Sequence, residues 1–133
     1  MKYDVHDYLR GIYYLGGNNN DGVSLSSLTS RLGVSKNTAS LMVSKLKKKN
    51  YVIHKKYGKI FLTTEGRKIA KELTQRHRLI ELFLNKSLGV DVEAVHEEAC
   101  RLEHFFSKRS ILGLKALLKN ERFCPHGKPI SGR

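Results

Sequence analysis

The stretch Ser24-Leu25-Ser26-Ser27-Leu28-Thr29-Ser30-Arg31-Leu32-Gly33-Val34-Ser35-Lys36-Asn37-Thr38-Ala39-Ser40-Leu41-Met42-Val43-Ser44-Lys45-Leu46-Lys47-Lys48-Lys49 decides the fold. Leu25, Leu28 and Leu32 recur at helical spacing, so residues 24–32 read as a short helix. Gly33 stands where that helix must end, a position that often needs a positive φ. Ser35 is a good N-cap for a second helix running to about Lys49, with Ala39, Met42, Val43 and Leu46 turned inward. Two short helices joined by a tight glycine-containing connection form the helix-turn-helix pattern.

Downstream, Tyr51-Val52-Ile53-His54-Lys55 and Ile60-Phe61-Leu62-Thr63 are β-prone runs on either side of Lys56-Tyr57-Gly58-Lys59, which predicts a hairpin. Thr64 is expected to cap the next helix, with Glu65 favourable at its positive end and no breaker before Gly89. Upstream, Asp4 can cap a first helix carrying Val5, Tyr8, Leu9, Ile12, Tyr13 and Leu15, and the turn formers from Gly16 to Gly22 stop it. Periodicity resumes after Asp91: Val92, Val95, Ala99, Leu102 and Phe106 share one face. A last helix over Lys108–Lys119 offers Ile111, Leu112, Leu114, Leu117 and Leu118, and the tail from Phe123 to Pro129 reads as irregular. The expected architecture is mostly α with a small β-wing: a winged helix-turn-helix over residues 1–73 and a helical domain over residues 74–133.

Composition narrows the function. The 133 residues carry 25 Lys and Arg against 12 Asp and Glu, a formal charge of +13, which points to a polyanionic partner such as nucleic acid. Residues 1–75 hold 14 of these bases and 5 of the acids, and the segment Lys45–Lys59 has seven lysines and no acid. The second half concentrates His and Glu instead. A hydrophobic fraction of 40% excludes a disordered tail. No apolar run approaches the ~18 residues of a membrane span, the N-terminus has no leader pattern, and two cysteines are too few for a disulfide framework. A cytoplasmic protein that avoids the membrane is expected.

In a helix-turn-helix the first residues of the second helix face base edges in the major groove. Ser35, Lys36, Asn37, Thr38 and Ser40 are small or hydrogen-bonding there, and Leu41 can touch a thymine methyl. Lys45, Lys47, Lys48 and Lys49 follow, while Lys55, Lys56 and Lys59 sit at the wing, where lysines meet phosphates. The blander reading is that a lysine run merely solvates a helix. The acid-free stretch, however, falls on the elements that would enter DNA, so double-stranded DNA is the expected partner.

The densest chemistry is Val95-His96-Glu97-Glu98-Ala99-Cys100-Arg101-Leu102-Glu103-His104. On a helix, His96, Cys100, Glu103 and His104 fall within an arc of ~100° beside the apolar face. Thiolate, carboxylate and imidazole would project together there, a set suited to a divalent transition metal. His77 and Glu81 have a four-residue spacing that also stacks two donors, and Asp7, next to His6, offers a third helix. Taken singly, such residues are commonly surface groups, and Cys100 alone would be a small core residue. Cys124 and His126 read more simply as a proline-containing turn and stay outside the expected site. Two rival classes remain at this level: a metal-independent winged-helix repressor, and a small metallohydrolase. The latter lacks a nucleophile motif and a glycine-rich phosphate loop, so no enzyme is expected.

Five segments then converge: Asp7-Tyr8-Leu9-Arg10-Gly11-Ile12-Tyr13, Leu62-Thr63-Thr64-Glu65-Gly66, Arg76-His77-Arg78-Leu79-Ile80-Glu81, the run His96 to His104, and Pro125-His126-Gly127-Lys128-Pro129-Ile130. Together they resemble the diphtheria toxin repressor family of metal-dependent regulators, including its manganese-responding branch, over nearly the whole chain. The resemblance implies a helical dimerisation and metal-binding domain after the winged helix. It implies a primary metal site of Asp7, Cys100, Glu103 and His104 and an ancillary site of His77, Glu81 and His96. It also implies a homodimer on a palindromic operator and repression of metal-homeostasis genes, with the metal joining the DNA-binding and dimerisation domains.

The chain is a hybrid: the iron branch has Met where Asp7 stands, whereas the manganese branch has Glu in place of both Cys100 and Arg10. Fe(II) or Mn(II) is therefore expected, with Co(II), Ni(II) or Zn(II) as surrogates. Many relatives continue into an SH3-like domain; a short form lacking it is expected here, with Arg133 standing where that domain would begin.

Overall fold

In the computed structural model, which describes residues 4–17, 21–55 and 58–130, helices begin where short polar side chains meet the first free N–H groups. Asp4 accepts from Asp7 N at 3.0 Å and Asp7 accepts from Asp4 N at 2.9 Å, a reciprocal cap on α1 (Val5–Ile12). A π-helical turn, Tyr13–Gly17, follows, with Gly16 at φ 110°. Ser24 caps α2 (Leu25–Leu32), Gly33 closes it at φ 65°, and Ser35 caps α3 (Lys36–Lys48). The hairpin is β1 (Val52–His54) paired antiparallel with β2 (Ile60–Leu62), with Val52 opposite Leu62 and His54 opposite Ile60. Then come α4 (Thr64–Leu88), α5 (Val92–Leu102) and α6 (Lys108–Leu117).

The chain divides into two compact units, Met1–Glu72 and Leu73–Arg133. In the first, α1, α2 and α3 pack on one another over Tyr8, Leu9, Ile12, Leu28, Ala39 and Leu46, all fully buried. Burial of such side chains contributes roughly 1.5–3 kcal/mol each, and this is what holds α3 in place. The wing joins the same core through Val52, Ile60 and Leu62.

The start of α4 is tied to the wing by contacts that the sequence places one residue away. The Thr63 hydroxyl, not that of Thr64, accepts from Gly66 N at 2.9 Å, and it also donates to Asn50 O at 2.7 Å. A Cβ on Gly66 would lie 1.9 Å from Tyr51 O, so only glycine permits this approach.

The second unit has its own core of Leu79, Ile80, Leu84, Val95, Ala99, Ile111, Leu114 and Leu118, closed by Ile130 from the tail. Two expectations change here. α5 ends at Leu102, so Phe106 does not continue its face, and Val92 lies exposed at its start. α6 stops at Leu117 rather than Lys119, with Ile111, Leu114 and Leu118 inward and Leu112 and Leu117 outward. The tail is not irregular throughout: Phe123 bridges Pro129, Cys124 N donates to Lys128 O at 2.8 Å, and Gly127 takes φ 80° in the turn between them.

Candidate nucleic-acid interface and candidate metal centre

At the head of α3 the Ser35 hydroxyl accepts from Thr38 N at 3.1 Å and donates to Thr38 Oγ1 at 2.9 Å, so these two side chains hold each other as a cap. Lys36, Asn37, Ser40 and Lys45 are exposed and unburdened by the core. A groove between α2, α3 and the wing is lined by Ser24, Lys36, Ser40, Lys47, His54 and Lys59 among others. Hydroxyls and ammonium groups are the donors a phosphodiester accepts from. Lys47 Nζ donates to His54 O at 3.1 Å, which fixes the wing beside the C-terminal half of α3. The His54 ring nitrogen lies 3.1 Å from Gly58 O, bracing the wing tip; no local pattern marks that histidine in the sequence. Lys59 is exposed on this groove, and Lys56 lies outside the described residues.

The second unit carries the opposite chemistry: titratable groups taken out of water. His77, Glu81 and Glu103 are buried to within 6% of full burial. Groups of this kind are tolerated inside only when paired or coordinating. α4 supplies His77 and Glu81, one turn apart. α5 supplies His96 and Cys100, and the turn after it supplies Glu103. The His77 and His96 rings meet edge to face with centroids 4.8 Å apart, and His77 Nε2 lies 3.1 Å from His96 Nδ1. Cys100 Sγ is 3.8 Å from His96 Nε2. On its other side, His77 places Nδ1 3.0 Å from Glu103 Oε2.

With a metal bound, a proton on Nδ1 held by the Glu103 carboxylate would leave the His77 Nε2 lone pair for the ion; without one, Nε2 faces the Glu81 carboxylate, where a protonated ring is favoured. Arg76 Nη2 donates to Glu103 O at 2.6 Å and also to Phe106 O, fastening the turn that carries Glu103.

Glu81 is the hub. Its Oε2 lies 3.5 Å from His77 Nε2, 3.4 Å from His96 Nδ1 and 3.5 Å from His126 Nδ1, yet it is buried without a hydrogen-bond partner. Burial alone would raise this carboxyl, but the close imidazoles of His77 and His96 and their charge outweigh it and hold the pKa at about 2. His96 is pushed up to about 10, first by its bond to Cys100 and then by Glu81, against the desolvation that opposes them.

His126 Nε2 sits 3.2 Å from Val92 O. If that carbonyl takes the single proton of the neutral ring, the Nδ1 lone pair is turned towards a carboxylate oxygen, an arrangement that calls for a cation between them. The donor atoms of His77, His96 and Cys100 lie within 4.8 Å of one another, and so do those of Glu81, Cys124 and His126. The orphaned Glu81 oxygen and these donor sets fit a divalent transition metal.

Several expectations are revised by this geometry. α5 ends at Leu102 with Glu103 as its C-cap, so His96, Cys100 and Glu103 keep a helical backbone and His104 lies past the end of the helix. Glu103 turns inward to His77, while His104 follows in the turn and is exposed. Cys124 and His126, set aside as a proline turn, are brought to Glu81 by the Phe123–Pro129 bridge. The signal that marks them is Cys-Pro-His-Gly, two donors flanking a proline before a positive-φ glycine. Asp7 belongs to the first unit, where its carboxylate caps α1 and pairs with Arg10 at 2.5 Å.

Comparison with known proteins agrees with both halves. The family "Iron dependent repressor, N-terminal DNA binding domain" matches residues 3–60, and "Iron dependent repressor, metal binding and dimerisation domain" matches residues 63–132. An uncharacterized HTH-type transcriptional regulator of Methanocaldococcus jannaschii is 33% identical over 90% of this chain and 95% of its own length. The diphtheria toxin repressor of Corynebacterium diphtheriae is 34% identical over 94% of this chain, which spans 55% of that protein. A solved manganese-dependent transcriptional repressor in complex with manganese superposes with a TM-score of 0.85 at 40% identity, over 96% of this chain and 58% of that one.

Proposed function

The chain belongs to the iron-dependent repressor family of metal-dependent transcriptional regulators, and from that premise we propose that it binds duplex DNA, as a homodimer, more tightly when it holds Fe(II) or Mn(II), with the primary ion joining the DNA-binding and dimerisation domains. It is a regulator of metal-ion homeostasis genes rather than an enzyme, and it works in the cytoplasm. Among the described residues no helix is long and apolar enough to cross a membrane.

One observation carries the metal reading: a buried carboxylate oxygen, Glu81 Oε2, with three imidazole nitrogens 3.4–3.5 Å away and no hydrogen bond of its own. A bound ion supplies the positive charge that lets the buried Glu81 carboxylate sit beside imidazole lone pairs and a thiolate at the edge of the core. His77, Glu81 and His96 are assigned to it as ancillary ligands, with Cys124 and His126 completing the set. Glu103 orients His77 through Nδ1. Asp7, Cys100, Glu103 and His104 are proposed as the primary set on the strength of the sequence pattern. Cys100 favours Fe(II), Co(II), Ni(II) or Zn(II), and Asp7 suits Mn(II) as well as Fe(II).

Ser35, Lys36, Asn37, Thr38 and Ser40 are assigned to the major groove, and Lys45, Lys56 and Lys59 to phosphates. A two-fold dimer presents two copies of α3 to half-sites about 34–36 Å apart, hence a palindromic operator. Linkage requires that metal and operator strengthen each other by the same factor. A gel-shift titration at fixed salt tests this. The expected result is at least about tenfold tighter binding in excess Mn(II) or Fe(II) than in chelator, within the usual range of coupling energies. Equal affinity in both would overturn the reading.

A further inference from the structure

Three flanks of α3 have distinct tasks. Ala39, Met42, Val43 and Leu46 face the core and are buried. Lys36, Ser40 and Lys47 face the groove towards the wing. The remaining crest carries Asn37, Leu41, Lys45 and Lys48, all exposed. At 100° per residue Leu41 lies about 150° around the helix from the centre of the buried face, with Asn37 one turn before it and Lys45 one turn after. It is 56% exposed, the one large apolar side chain on an otherwise polar crest. A single exposed leucine needs no explanation on an arbitrary surface. This one stands in the N-terminal half of the helix assigned to the major groove, on the side turned away from the buried face. Neither water nor phosphate offers a leucine anything there. The floor of the major groove offers one apolar group, the 5-methyl of thymine.

We infer that Leu41 reads a thymine by packing on its 5-methyl group, which makes one position in each half-site specific for a T·A pair. The inference rests on the DNA-binding function proposed above and adds a specificity-determining residue to it. Asn37 and Lys45, above and below on the same face, hold Leu41 in register by polar contacts that bracket that base pair. The discrimination is against any pair lacking the methyl, including one in which uracil replaces thymine with all hydrogen-bonding groups unchanged.

The test uses the metal-loaded full chain and a duplex selected by it from a random-sequence pool. Each thymine of that duplex is replaced in turn by deoxyuridine, and binding is compared for wild type, Leu41→Ala and Leu41→Met. At one position per half-site, loss of the methyl is expected to weaken wild type by about fourfold, the worth of one buried methyl. Leu41→Met keeps that sensitivity, and Leu41→Ala is indifferent at that position while responding like wild type elsewhere. Equal responses of wild type and Leu41→Ala at every thymine overturn the inference and leave the metal-dependent regulator standing. Absence of metal-dependent binding to any duplex overturns the proposed function, and this inference with it.

Discussion

The two units solve opposite electrostatic problems. The DNA-facing unit leaves the charges of its groove in water: Lys36, Lys45, Lys47 and Lys59 are exposed, its buried Arg10 is paired with Asp7, and its helices start on local caps made by Asp4, Ser24 and Ser35. The other unit takes His77, Glu81 and Glu103 out of water and must satisfy them with one another. Exposed ammonium groups are stabilised by solvent and respond to salt, whereas buried imidazole–carboxylate contacts are screened little and respond to pH. The lesson is a division of sensitivity: ionic strength acts on one end of the chain and proton or metal activity on the other.

The sharpest way to break this division is Glu81→Gln, which keeps the shape and removes the charge at the hub. Metal affinity of the Glu81 site, measured by chelator competition together with the number of ions bound per chain, is expected to fall about 100-fold or more, since losing even a supporting partner typically costs 10–100-fold. Chelator-treated wild type and variant should bind DNA alike, because Glu81 lies in the second unit. A variant that still loads metal normally would show that the hub is elsewhere. Next in size is Lys59→Ala on the wing. It should weaken binding to all duplexes alike and reduce the slope of log affinity against log salt by about 1, without altering metal affinity.

Smallest is the pH response of the metal-free protein. Glu81 is held at about 2 against an ordinary 4.5, so its stabilisation is complete above 4.5 and is lost as pH falls towards 2. His96 is raised from 6.5 to about 10, so its contribution is complete below 6.5 and is lost as pH rises through 10. The alkaline loss should be the shallower one, because the His96 side chain is 66% exposed and its charge is partly screened. Urea midpoints should therefore peak between about pH 4.5 and 6.5. In Glu81→Gln the acid limb should flatten, and an unchanged acid limb would detach Glu81 from it.

How much of this the sequence discloses depends on range. Ser35, Gly33 and the Ala39–Leu46 face act within a few residues, so the helix-turn-helix is legible from local chemistry alone, as is the hairpin. Thr63 rather than Thr64 as the cap is not legible, because the choice is made by Asn50 and Tyr51, more than ten residues away. Likewise the end of α5 at Leu102 is not legible locally: the turn there is held by Arg76 reaching across to Glu103 O, a contact 27 residues apart in sequence. His77, Glu81 and His96 could be paired by helical spacing. Cys124 and His126 could not, since their place is set by a bridge between Phe123 and Pro129 and by Ile130 docking in the core.

That late-arriving turn has a consequence for biosynthesis. A growing polypeptide folds from its beginning, so the DNA-facing unit is complete while the ribosome is still decoding the second half. Glu81 waits until position 126 has emerged before its third imidazole exists. A message broken between the codons for residues 73 and 95 would thus encode the helix-turn-helix and wing without His96, Cys100, Glu103 and His104, the groups through which the signal is proposed to act.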